Sequence, residues 1–246
     1  MSAFQLEVIA FTLESCRLIE AAGAHRIELC DNPGEGGTTP SYGMIHAARK
    51  ATTLPLYVMI RPRGGDFVYS DSEFEAMRYD VEVCKRAGCE GIVTGLLRPD
   101  GTVDAERTQR LVDAAYPMGV TFHRAFDRVP DPFAALETII ATGCERILTS
   151  GLMPTAPEGA ARIRDLIRAA GQRISIMPGS GIRSSNIARL WEKTGATEYH
   201  TSARCFRMGN MAYHNPALGE TLETIAVDTD EIKATLAQLA SCLPHP

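Results

Sequence analysis

Four short stretches share one pattern: Ala22-Gly23-Ala24-His25-Arg26-Ile27, Ala87-Gly88-Cys89-Glu90-Gly91-Ile92, Thr142-Gly143-Cys144-Glu145-Arg146-Ile147 and Thr194-Gly195-Ala196-Thr197-Glu198-Tyr199. Each is a small residue, a glycine, a small residue and two mostly polar positions, then an apolar or aromatic residue that opens a strand-like run. The glycine marks a helix end, because it takes the left-handed conformation at the C′ position without a Cβ clash. The echoes begin 65, 55 and 52 residues apart. Four further strand candidates lie between them, at residues 6–11, 56–61, 120–126 and 174–177.

Helical periodicity is clear at 71–87 (Phe74, Met77, Val81, Cys84), 105–115, 133–141, 159–170 and 184–193. Strands that alternate with helices pair in parallel, because each crossover helix returns the chain to the same end of the sheet. Eight such units make either an open doubly wound sheet or a closed barrel, and the nearly even spacing of the echoes favours the barrel. The sequence therefore predicts one (β/α)8 TIM-like barrel domain over residues 1–246, close to the usual barrel length of roughly 250 residues. Residues 206–227, with Gly209, Asn215, Pro216 and Gly219, read as a long excursion before a last helix at about 228–241.

Composition narrows the partners. Hydrophobic residues make up 45% and charged residues 22% of the chain, the balance of an ordinary soluble globular protein. A net charge of −5 argues against nucleic acid as a partner, which calls for a basic face. No apolar run approaches the roughly 18 residues of a membrane span, and the start, MSAFQLEVIAF, lacks the features of a secretion signal. The seven cysteines (16, 30, 84, 89, 144, 205 and 242) are odd in number and scattered, so they suggest reduced thiols in the cytoplasm rather than a disulfide framework.

Barrels of this kind build their sites from the loops that follow the strands. Strand one carries Glu7; strand two carries Glu28 and Cys30, on one side of the strand. Strand three ends in Arg61-Pro62-Arg63, strand five in His123-Arg124-Ala125-Phe126-Asp127, and strand eight begins its exit at His200-Thr201-Ser202. Unpaired buried charge is costly, so Glu7, Glu28, Arg61, His123 and His200 are expected to neutralise one another in the barrel mouth. The bland alternative is a structural ion-pair network. As chemistry, Glu28 or His123 would carry a proton and Arg61 would hold an anion, with Asp127 and His200 completing the catalytic set.

Gly179-Ser180-Gly181 turns strand seven into a helix, and its backbone N–H groups suit a phosphate or carboxylate; Arg63 and Ser202 are added as anion ligands. The alternative is a tight turn capped by Ser184 or Ser185. Gly34–Gly37 after strand two is open to the same two readings. There is no Cys-x-x-Cys and no His-Glu-x-x-His. Of the thiols, only Cys30 is aimed at the mouth, where with Met59 it would hold Cu(I), although buried structural cysteine is the commoner case.

Arg26-Ile27-Glu28-Leu29-Cys30, Gly36-Gly37-Thr38-Thr39-Pro40-Ser41, Ile60-Arg61-Pro62-Arg63-Gly64-Gly65-Asp66-Phe67 with Tyr69-Ser70, and Phe122-His123-Arg124-Ala125-Phe126-Asp127 closely resemble the CutC family, named for copper homeostasis. Leu148-Thr149-Ser150-Gly151 and His200-Thr201-Ser202-Ala203 extend the match, which runs in order from about residue 5 to 205. The resemblance implies a TIM-like barrel, a cytoplasmic location, self-association as a dimer or tetramer, and a role in copper tolerance or copper binding. It also implies a site drawn from Glu7, Glu28, Cys30, Arg61, Arg63, Asp66, His123, Arg124, Asp127, His200 and Ser202. Family members often carry cysteine where this chain has Val8-Ile9-Ala10 and Val68. The missing soft ligands point away from copper storage, and the retained polar set points to an enzyme for a small phosphorylated or carboxylated metabolite as the alternative.

Overall fold

All four echoed glycines take positive φ, between 67° and 89°, and each reverses a helix into the next strand. The computed structural model describes residues 4–243. The first half of the chain runs β1 (Gln5–Ala10), α1 (Leu13–Ala21), β2 (Arg26–Leu29), α2 (Tyr42–Ala51), β3 (Leu56–Met59), α3 (Asp71–Ala87), β4 (Gly91–Thr94) and α4 (Ala105–Ala115). The second half runs β5 (Gly119–Phe122), α5 (Pro132–Ala141), β6 (Arg146–Thr149), α6 (Ala160–Ala170), β7 (Ser175–Pro178), α7 (Ile187–Thr194), β8 (Glu198–Thr201), β9 (Arg204–Met208), β10 (Glu223–Val227) and α8 (Thr229–Ser241).

The eight strands pair in parallel in the order β7-β6-β5-β4-β3-β2-β1-β8, giving the (β/α)8 barrel. At the remaining junction, β7 and β8 lie side by side with no hydrogen-bonded ladder among the described residues. Strand alternation sorts the side chains into two sets. Leu6, Val8, Ile27, Leu29, Leu56, Val58, Ile92 and Ile147 join the helices in one large apolar shell. Cys30, Tyr57, Met59 and Val93, with Ile9 and Phe11 against them, form a separate small cluster inside the barrel.

The inside is otherwise polar, and the repeat organises it. The fifth echo position is the first residue of each even strand: Arg26, Gly91, Arg146 and Glu198. This is the layer of four from alternate strands that such barrels stack in their interior. Arg26 donates to Glu7, to Glu198 at 2.7 Å and to Gln5 at 3.0 Å. Arg146 donates to the same Glu198 oxygen at 2.6 Å, to Glu145 at 2.8 Å and to Thr121 at 3.0 Å. Tyr57 lies between the two guanidinium groups, 5.2 and 5.4 Å from its ring centre, and donates its hydroxyl to Glu145 at 2.6 Å. Gly91 is the exception in the layer for a steric reason: a Cβ there would come within 2.2 Å of the Tyr57 ring. Two residues further along the even strands, Glu28, Val93, Leu148 and His200 make the next layer up.

One segment differs from its sequence expectation, and a second adds to it. Residues 120–126 are not one strand: β5 stops at Phe122, and His123 caps a 3₁₀ turn at Arg124–Arg128 by accepting the Ala125 N–H at 3.2 Å. Residues 206–227 are the expected long excursion before the last helix, but its two ends pair as an antiparallel arm, β9 with β10, with Arg204 opposite Val227 and Met208 opposite Glu223. Among the described residues, no helix is long and apolar enough to cross a membrane.

Glu198→Ala removes the carboxylate shared by two buried guanidinium groups. Equilibrium urea unfolding should show a loss of about 3–5 kcal/mol, the range for breaking a buried ion pair from one side. Arg26 holds the Glu7 carboxyl well below its ordinary 4.5 against the opposing pull of burial. The stability Glu7 contributes is therefore fully present above pH 4.5 and drains as pH falls, as the unfolded chain takes up the proton first.

Candidate functional site

Above the polar layer, at the C-terminal ends of the strands, a cleft of about 400 Å³ opens, the size of a small-metabolite pocket. Glu28, Leu148 and His200 contribute from the second even-strand layer, with Ile9, Met59 and His123 on the walls. Loops supply the rest: Gly36, Arg61, Phe67, Arg124, the run Ser180 to Arg183, and Thr201, Ser202 and Arg204. Glu28 is the one carboxylate in this lining, against four arginines.

His200 links the cleft to the network below. Its Nδ1 meets Glu7 Oε1 at 2.8 Å, and its Nε2 faces Glu28 Oε2 at 3.8 Å. Glu7 is the anion of Arg26, so His200 carries its proton on Nδ1 and its ring orientation is fixed from beneath. Burial works against a charged imidazole, but the Glu28 and Glu7 carboxylates outweigh it and raise the His200 pKa. Burial pushes the Glu28 carboxyl up to about 7, helped by Glu7 and opposed by His200. A carboxyl in that range is poised to gain and lose a proton at neutral pH.

His123 behaves oppositely for the same reason. Burial first, then the Arg61 charge, press its imidazole down to about 3, so the ring stays neutral. Its Nδ1 accepts the Ala125 N–H, which places the ring proton on Nε2. Gly95 makes room for the ring: a Cβ there would lie 2.4 Å from Nδ1. Phe67 packs between His123, at 4.9 Å between ring centres, and the Arg61 guanidinium, at 4.9 Å. Arg61 is mostly committed to the loops, donating Nη1 to Glu35 O and Gly37 O and Nη2 to Gly65 O.

The rim is basic. Among the described residues, the Arg183 and Arg204 guanidinium groups have no acidic partner within 4.0 Å, and the Gly181 and Ile182 N–H groups have no acceptor in the chain. Ser180 holds positive φ (80°), tied by its hydroxyl to Pro154 O at 2.9 Å and by its carbonyl to the Ala156 N–H at 2.9 Å. Gly179 sits just beneath; a Cβ there would be 2.4 Å from Leu148 and 3.3 Å from His200. Arg124 is aimed by Asp127, whose carboxylate accepts its Nε–H at 2.8 Å and also the Ser150 and Leu152 N–H groups.

Of the residues singled out from sequence, Glu28, Arg61, His123, His200, Ser180, Gly181 and Ser202 line the cleft. Glu7 does not reach it; its carboxylate is spent on Arg26 and His200. Asp127 is not among the residues lining this cleft, and its oxygens accept from Arg124, Thr149, Ser150 and Leu152. Arg63 is not an anion ligand of this cleft: Glu73 and Asp66 pair with it, on the outer side of the loop. Arg183 and Arg204 escaped notice as site residues, although each stands directly after a strand-end motif. Arg26, Arg146 and Glu198 lay in plain view within the echoes.

One group of side chains among the described residues brings potential metal-ligand atoms together. Glu7, Glu28 and His200 offer ligand atoms within 4.8 Å of one another, a set suited to a divalent cation rather than Cu(I), but the Glu7–His200 hydrogen bond already occupies two of them. Cys30 and Met59 both lie under Gly37, where a Cβ would stand 3.2 Å from the thiol and 3.6 Å from the Met59 methyl. The Cys30 thiol is fully buried, and burial and then the Glu28 carboxylate push it well above its ordinary 9.0.

The strands and helices define a (β/α)8 barrel with a cleft at the C-terminal ends of its strands. The family model described as the CutC family matches residues 4–205, and the chain belongs to that family. A CutC family protein of Chromobacterium violaceum is 51% identical over 214 residues, 87% of each chain. The human copper homeostasis protein cutC homolog is 47% identical over 223 residues, covering 90% of this chain and 82% of that one. A crystal structure of a CutC protein from Streptococcus agalactiae superposes with a TM-score of 0.77 at 33% identity, over 81% of this chain and 98% of that one.

Imidazole ¹⁵N NMR should find His123 as the neutral Nε2–H tautomer from pH 5 to 8, with no titration in that window. Carboxyl ¹³C NMR should find Glu28 titrating near neutrality, 2 to 3 pH units above a surface glutamate. A His123 resonance that titrates near 6.5 would contradict the geometry.

Proposed function

We propose that the protein is an acid–base enzyme for a small organic anion, phosphorylated or carboxylated, bound at the barrel mouth. The observation that carries this is the charge of the cleft: four arginines and one buried glutamate line it, and two of those arginines, Arg183 and Arg204, have no acidic partner within 4.0 Å among the described residues, in a chain whose net charge is −5. A basic mouth on an acidic molecule concentrates anions where the rest of the surface repels them. Glu28 moves the proton, His200 and Glu7 hold it in place, and the Gly181–Arg183 turn with Arg204 seats the anion. Ser202 stands beside that seat.

A second reading follows from the name its relatives bear and from the Cys30–Met59 pair: Cu(I) is the cargo, held by one thiolate and one thioether. The thiol would have to lose its proton in a buried place beside a carboxylate, which weakens such a site at neutral pH. In both readings we place the protein in the cytoplasm, with its seven free cysteines reduced. We also propose a dimer or tetramer, with the exposed Phe206, Met208, Met211, Tyr213 and Leu218 of the β9–β10 arm and its loop as contact surface.

Thermal-shift titration with inorganic phosphate and sulfate should raise the melting temperature. At one hundred times its dissociation constant, a ligand adds about 2.7 kcal/mol. Replacing Arg183 and Arg204 together by Gln should weaken phosphate binding at least tenfold while leaving the ligand-free melting temperature within about 2 °C, as expected of exposed side chains. Absence of a shift with any small anion refutes the anion site. For copper, Cu(I) is titrated into reduced wild type and Cys30→Ser; a stoichiometry indifferent to the substitution rules out Cys30 as ligand.

A further inference from the structure

Among the described residues, five buried side-chain polar atoms lack a hydrogen-bond partner, and three of them belong to lining residues of this one cleft: Glu28 Oε1, Arg61 Nε and His123 Nε2. Such atoms are costly to leave unpaired in a folded protein, and where several converge a ligand is the expected partner. The three differ in kind. Arg61 Nε carries a hydrogen and a share of positive charge. His123 Nε2 carries the ring proton, because Nδ1 is already the acceptor for Ala125. Glu28 Oε1 is an acceptor whenever the carboxyl is ionised. Two fixed donors and a base are what a carbonyl group with an acidic neighbouring C–H requires.

We propose, building on the anion reading above, that the cleft catalyses proton transfer at a carbon next to a carbonyl in a phosphorylated or carboxylated substrate. Glu28 takes the proton from that carbon, the C–H pair becomes the new C=C bond, and the carbonyl π pair moves to oxygen. The resulting enolate oxygen is held by Arg61 Nε–H and His123 Nε2–H, two buried donors that have no partner among the described residues. Where the deprotonated carbon bears a hydroxyl, that O–H proton passes to the enolate oxygen as Glu28 returns its proton to the former carbonyl carbon, and a new C=O at the first carbon completes an isomerisation; return of a proton to the same carbon restores the substrate with exchange of that hydrogen. Atoms and electrons balance with no oxidant, reductant or second substrate.

Other features agree. A neutral imidazole donor does not surrender its proton to water, and it stabilises an enolate without adding a second charge next to Arg61. A covalent imine route to the same carbanion needs a lysine in the cleft. The chain has four, Lys50, Lys85, Lys193 and Lys233, and they lie on α2, α3, α7 and α8, none of them in the lining. His200, between Glu7 and Glu28, is a positioning residue that holds the base in its working ionisation state.

The test is deuterium wash-in by ¹H NMR. Full-length protein is incubated in D₂O with dihydroxyacetone phosphate, longer phosphorylated α-hydroxy ketones and aldehydes, and small 2-keto acids. Loss of the C–H signal next to the carbonyl is expected for at least one member. Glu28→Gln should slow it by about 10³ and His123→Phe by about 10²–10³, both with the phosphate thermal shift retained. Exchange unaffected by Glu28→Gln overturns the assignment. A phosphate shift with no exchange from any panel member overturns the carbonyl chemistry and leaves the anion site standing; neither shift nor exchange removes both.

Discussion

The buried charge lattice in the lower half of the barrel is the constraint on which the rest depends. Two arginines, Arg26 and Arg146, stand where most barrels place aliphatic side chains, and each must be neutralised because water cannot reach it. Glu198 serves both, Glu145 serves Arg146, and Glu7 serves Arg26. Once Glu7 is committed downward through one oxygen, its other oxygen fixes His200, and His200 in turn faces Glu28. Glu28 is the member left over: it shares a histidine with a stronger acid and has one oxygen without a partner. The half-paired carboxyl of the cleft is thus a product of bonds made in the layer below it.

Burial then separates the roles of two side chains that solvent would leave unremarkable. Loss of water disfavours whichever form is charged. For Glu28 that is the base form and for His123 the acid form, so one carboxyl is lifted toward neutrality and one imidazole is pressed far beneath it. The rim arginines remain solvated and charged. The cleft is therefore graded from permanent positive charge outside, through a neutral donor, to a titratable carboxyl at depth.

Much of this was legible in the sequence, and the limits have physical causes. The echoed glycines announced four helix ends and, through them, eight strands, because positive φ leaves few alternatives. The polar residues within the strands marked the barrel interior, since Glu28, His123 and His200 had no apolar role to fill. Depth was not legible. Strand alternation says that Glu7 points inward but not that it lies a layer beneath the opening, which depends on the stagger between strands, Glu7 opposite Arg26 and His200. Arg63 and Asp127 failed for a second reason: a charged residue in a loop looks the same in sequence whether it faces ligand or finds a neighbour, and here Glu73 and Ser150 were the neighbours. The pairing of β9 with β10 inside the excursion was not legible because these strands face solvent on most sides and carry no regular apolar alternation.

The unpaired junction between β7 and β8 gives the barrel wall a built-in slit. Elsewhere, prising neighbouring strands apart breaks a ladder of backbone bonds; here it disturbs side-chain packing around Gly179, Leu148 and His200 and the one hydrogen bond from the Thr201 hydroxyl to Ile182 O, 2.9 Å long. The loops on either lip, Ser180 to Arg183 and Ser202 to Arg204, are the ones that carry the arginines of the rim. Opening of the wall therefore costs fewer backbone hydrogen bonds between these two lips than between any other pair of neighbouring strands.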